Sequence, residues 1–179
     1  CRENASLWES KGAGGTWHEH LSLNPDTLEY GDKKAEIVDF AIVDKTGKVT
    51  NIIEKGDLCT IKMKVRFAED VTEPVFAFTL KNLMGIEITG TNTMLEKQGV
   101  EPRKAGDVQS VAFTQRMILQ GGEYLLSLGC TGYEQETFQV HHRLYDVCGL
   151  TVISHKNTVG FFDMESTVEV EGEISQAHG

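Results

Sequence analysis

The residues most able to do chemistry in this 179-residue chain are its histidines, carboxylates and a scattering of strand-borne hydrogen-bond donors. His18 and His20 are two apart, a spacing at which imidazoles on a strand can share a metal, but they lie in a stretch without sustained alternation and with Glu19 between them. The adjacent pair His141-His142 faces opposite sides of a strand, so at most one joins any given site. Acidic residues are plentiful, yet no spacing singles out the carboxylate pair that glycoside hydrolysis needs. There is no Gly-x-x-x-x-Gly-Lys-Ser/Thr phosphate loop and no nucleophile elbow around a serine. No catalytic residue, metal ligand or cofactor is therefore assigned, and the chain reads as a non-enzyme. His141 shares strand parity with Arg143 and Tyr145, and donors beside an aromatic ring suit an array of sugar hydroxyls.

The elements that position such residues are strands. From Lys34 onward, strand-length runs are separated by turn signals at Lys45-Thr46-Gly47, Glu54-Lys55-Gly56-Asp57, Ala105-Gly106-Asp107 and Gln120-Gly121-Gly122. The runs predict strands over 35–43, 58–67, 75–81, 86–93, 108–119, 123–131, 138–153 and 159–171. Within 58–67, Cys59, Ile61, Met63, Val65 and Phe67 alternate with Thr60, Lys62, Lys64 and Arg66, which predicts one dry face and one solvated face. Phe76, Phe78 and Leu80, then Val111, Phe113, Met117 and Leu119, then Tyr124, Leu126, Leu128 and Cys130 form further apolar stripes. Two sheets packed on these stripes make an all-β, antiparallel sandwich of about eight strands. Opposite the stripes, Thr79, Lys81, Arg116, Ser127, His141, Arg143 and Tyr145 are expected on an outward face, where they form the candidate ligand site.

Residues 1–29 hold both tryptophans, Trp8 and Trp17, and the step Gly12-Ala13-Gly14-Gly15; they read as a linker or lead-in segment, with the sandwich domain over 30–179. A first residue of Cys rather than Met fits a fragment of a larger protein, and no apolar run approaches the length of a membrane span. The net charge of −10, from 27 acidic against 17 basic residues, opposes nucleic-acid binding. Cys1, Cys59, Cys130 and Cys148 lack paired zinc or redox spacing and read as buried, reduced thiols of a reducing compartment.

The stretch from Tyr30 to Glu171 resembles the C-terminal carbohydrate-binding domain of Wzt-type ATP-binding subunits of polysaccharide ABC exporters. The resemblance is carried by an ordered set: Gly31 to Ile37, Asp44 to Gly47, Ile53 to Asp57, Pro74 to Phe78, Gly85 to Thr93, Leu119 to Gly129, Tyr145-Asp146 and Gly160 to Phe162. Gly90-Thr91-Asn92-Thr93 is its most distinctive member. It implies an immunoglobulin-like β-sandwich that recognises an O-antigen-like polysaccharide, typically at a modified terminus. It implies a homodimer in which the last strand can be exchanged, and contact with the membrane-spanning exporter subunit through a missing ATPase domain. The implied location is cytoplasmic, at the inner face of the cell membrane. Fold alone does not separate this from an immunoglobulin-like structural or dimerisation domain without a glycan ligand.

Overall fold

The computed structural model describes residues 17–173 and Ser175, so Cys1, Trp8 and Gly12 to Gly15 lie outside the described residues. The described residues form nine strands: β1 (Leu28–Tyr30), β2 (Ala35–Val43), β3 (Ile52–Glu54), β4 (Leu58–Phe67), β5 (Glu73–Asn82), β6 (Glu87–Asn92), β7 (Val108–Arg116), β8 (Gly122–Glu134) and β9 (Thr137–Ile153). They form two sheets. The larger runs β1-β9-β8-β5-β6, with β3 alongside β9 in parallel, and the smaller runs β2-β4-β7. All other strand pairings are antiparallel.

The apolar stripes read from sequence meet between the sheets. Phe67 of β4 packs edge-on against Phe76 of β5 with ring centroids 6.5 Å apart, and Phe78 of β5 against Phe113 of β7 at 5.1 Å. Such edge-to-face pairs add to the gain from area burial. Leu126, Leu128, Cys130 and Leu150 complete the core from β8 and β9. Burial pushes the Cys148 thiol up to about 12; burial and the nearby Asp32 charge do the same for Cys130. These thiols, with buried Cys59, behave as small apolar side chains.

The outer side of β4 differs from expectation. Lys62 is only 2% exposed and Thr60 is buried, because Trp17 lies across this face with the Lys62 and Lys64 ammonium groups 4.5 and 4.4 Å from its ring centroid. Burial, reinforced by the Lys64 charge, holds Lys62 below the usual lysine range against the opposing pull of Asp39. An extra residue at Val38 shifts the β2 register so that Asp39 lies opposite Lys64. The buried Asp39 carboxylate accepts hydrogen bonds from the Trp17, His18 and Phe40 amides at 2.9, 3.1 and 2.9 Å, and lies 2.7 Å from His18 Nδ1.

From this anchor the chain drops Leu21 into the core and crosses to β9. There the Asn24 amide donates to the Val147 carbonyl and Asn24 Nδ2 to the Asp146 carbonyl, before β1 pairs with 143–145. Residues 17–29, read above as a lead-in, are thus a strap laid on the sandwich. Asp39→Ala is expected to cost about 1–3 kcal/mol, since the strap's donors lose a charged acceptor. Hydrogen exchange checks this: amides of 17–23 should exchange faster, and an unchanged rate would show the strap to be held otherwise.

The strand expected over 159–171 does not form. Apart from a bridge between Leu119 and Phe162, the described residues of that stretch pair with no strand. Alternation such as Val168-Glu169-Val170-Glu171 marks a strand face, but a strand also needs a neighbour, and here Val168 and Val170 stand exposed. The segment is tied down at Asp163. Its carboxylate meets Lys55 Nζ at 3.1 Å and Lys156 Nζ at 3.2 Å and accepts from the Glu165 amide at 2.8 Å, while its own amide donates to the Ile118 carbonyl.

Candidate ligand groove

A groove of about 280 Å³ runs over the outer face of the larger sheet. Its floor follows from register. Asn92, Ala77, Gly129 and Arg143 stand side by side across β6, β5, β8 and β9, so the middle of the row carries almost no side chain. In the next row Thr79 pairs with Ser127 and contributes two hydroxyls. Arg143 and Tyr145 rise on the β9 side, Asn92 and Met94 on the β6 side. At one end Tyr133 and Phe138 meet edge-on at 5.7 Å where β8 turns into β9.

The polar contacts are specific. In β9, residues 145–147 bulge opposite Ser127, with Asp146 at φ 55°. The bulge turns the Asp146 carboxylate onto Lys81, 2.7 Å away, and its amide donates to Ser127 Oγ at 2.9 Å. Arg143 Nη1 donates a long bond to Tyr145 Oη, 3.4 Å, and among the described residues Arg143 makes no carboxylate pair.

Thr79, Lys81, Ser127, Arg143 and Tyr145, all expected on one face, do line this groove. His141 and Arg116 do not. His141 is the extra residue in a second bulge, where Cys130 pairs with His142 and Thr131 with Val140. The turn at Gly31 to Lys33 covers it, and it is fully buried with Nδ1 3.1 Å from Asp32. Burial raises Asp32, but the Lys34 amide and His141 outweigh that and leave it below the usual carboxylate range.

His142 is buried too. It accepts from the Ile37 amide at Nδ1, so its hydrogen sits on Nε2 and is donated to Glu29 at 2.6 Å. That bond, with the neighbouring Lys33, holds Glu29 below its usual range. Both histidines therefore tie turns and strands together and lie outside the groove lining. Arg116 ends β7 in the other sheet and points to Glu165 at 3.8 Å. Strand parity gave no hint of Asn92, Met94, Tyr133, Phe138 or Asp146. The one signal for Asn92 was its place in the distinctive Gly90 to Thr93 stretch.

A second, larger cleft of about 800 Å³ opens between the sheets along β6 and β7, lined by Phe78, Ile88, Val111, Phe113, Leu119 and Phe162 among others. β7 is the edge of its sheet. Among the described residues no group of histidine, cysteine and carboxylate side chains is placed to hold a metal ion, and no helix is long and apolar enough to cross a membrane.

The chain is thus a two-sheet sandwich with a groove on the outer face of one sheet and a cleft between the two. The chain belongs to the Wzt C-terminal domain family, whose model matches residues 26–164. A crystal structure of the C-terminal domain of Wzt is similar at a TM-score of 0.80 and 25% identity, with 91% of this chain and 99% of that chain covered. A CARDB domain from Pyrococcus furiosus is similar at a TM-score of 0.39 and 11% identity, covering 67% of this chain and 97% of that one. No curated protein matches. Membership implies a part in O-antigen export by an ABC transporter, as a domain outside the ATPase of the subunit.

Proposed function

We propose that the groove on the outer face of the larger sheet binds the exported polysaccharide, without chemistry, at the cytoplasmic face of the membrane. The groove carries this reading: short side chains on its floor, hydroxyls and an amide within reach, and aromatic rings on its rims. A pyranose places its apolar face on a ring or a bare floor and its hydroxyls against such donors and acceptors. The volume, near the lower end for small-molecule sites at roughly 300 Å³, fits one or two sugar residues and so a chain end rather than a long stretch. An anionic terminal group would meet Arg143, since Lys81 is engaged by Asp146 and Arg116 lies on the other sheet.

Replacing Arg143 and Tyr145 together by alanine is expected to weaken binding of the exporter's own polysaccharide at least about thirty-fold, the sum of one charged hydrogen bond and one aromatic contact. Tyr145 is 37% exposed, so the thermal midpoint should hardly move. Arg116→Ala should bind as the parent does. Undiminished binding by the double variant in titration calorimetry would remove the groove from consideration.

A second reading, a dimerisation domain, is favoured by the apolar cleft beside the free edge of β7 and by the exposed apolar residues Met164, Val168 and Val170 of the C-terminal segment. The two readings are compatible, and we infer a homodimer in which each C-terminal segment pairs with the partner's β7.

A further inference from the structure

Gly129 sits mid-strand in β8 at the centre of the groove floor, where glycine is a poor choice for a strand. Two other glycines of this sheet have a packing reason. A Cβ on Gly90 would lie 2.7 Å from the Phe78 carbonyl oxygen, and one on Gly132 would lie 2.6 Å from that of Glu73. Gly129 has no such reason. Its backbone is outside the left-handed region, and a Cβ there would meet only Arg143 Cγ at 3.7 Å, Ala77 Cβ at 4.0 Å and the His142 oxygen at 4.0 Å, all ordinary contacts. The protein itself has room for a side chain at this position.

We infer that the missing side chain of Gly129 is what opens the groove: it lets the Arg143 stem lie down across the sheet and leaves the Ala77–Gly129 strip flat enough to seat the apolar face of a single sugar ring. This rests on the glycan reading of the groove. Asn92 and Arg143 then flank the ring in the same cross-strand row, and Thr79 and Ser127 meet its hydroxyls in the next. Position 129 decides which ligands enter. A bare floor admits a ring presented face-on, and a branched side chain there excludes it.

The test compares Gly129→Ala, Gly129→Val and Gly149→Ala in the full chain, with the surface polysaccharide purified from the source organism as the probe. Gly149 also lies mid-strand with only the Tyr124 oxygen near, at 3.9 Å, but it does not line the groove. Both alanine variants should melt at or above the parent, because alanine costs a strand less conformational entropy than glycine. Gly129→Val should bind at least about tenfold more weakly, as when one small group is added to a fitted pocket. Gly129→Ala should fall between, and Gly149→Ala should bind as the parent does. Parental binding by Gly129→Val would overturn the inference. So would a fall in the melting point of Gly129→Ala, which would make Gly129 a packing residue even if the valine variant failed to fold. Loss of binding in the Arg143, Tyr145 double variant with retention in Gly129→Val sinks only this inference, whereas retention in both sinks the glycan reading as well.

Discussion

Phe78→Ala is expected to destabilise the protein by about 3–5 kcal/mol, the usual cost of deleting a buried phenylalanine ring. The ring is 6% exposed and stands edge-on to Phe113 across the two sheets, so its removal opens a void where the sandwich closes. For a domain of this size the thermal midpoint should fall by about 6–20 °C. Phe78 also borders both the polar groove and the apolar cleft, on either side of β5. A denaturation curve showing less than about 1 kcal/mol of change would mean that the core closes without this ring.

Removing residues 159–179 should convert the proposed dimer to a monomer and lower its stability. The segment exposes Val159, Met164, Val168 and Val170, and its Phe162 lines the cleft beside β7. Sedimentation at micromolar concentration reads the outcome directly, and a monomeric intact chain would refute the dimer. The same segment has a pH dependence of definite sign. The Glu165 amide and the Lys55 ammonium, with Lys156 behind them, hold Asp163 well below the ordinary carboxylate value, at about 2. A carboxylate held down in the folded state contributes its stability above its unfolded value of 3.8 and loses it as pH falls through about 2. Asp163→Asn should mimic the acid form at neutral pH and make 159–173 an early site of limited proteolysis. A segment as resistant as the parent's would show that Asp163 does not anchor it.

The mixed outcome at the groove has a physical cause. Thr79, Ser127, Arg143 and Tyr145 were legible because alternation in 75–81, 123–131 and 138–153 carries the side of the sheet in its parity. His141 was not, because one bulge adds a residue and reverses the parity around it. Asp146 was missed for a related reason: it belongs to the bulge at 145–147, and only its backbone there turns it onto Lys81. Arg116 has the right parity on the wrong sheet. Alternation states which residues of a strand share a side, but it carries no information on which strands are neighbours.

By itself the sequence determined the all-β class, the spans of β2 and β4, and the apolar stripes that became the core, because burying one side of a strand writes a period of two into the chain. Tertiary structure alone decided the rest. It divided the strands into sheets, laid Trp17 over Lys62 and left 159–171 without a strand neighbour among the described residues. These outcomes depend on pairings between residues far apart, such as Asp39 with Trp17 and Asn24 with Asp146, whose free energy is set by burial and hydrogen bonding in the assembled sandwich and leaves no periodic trace in either partner's local sequence.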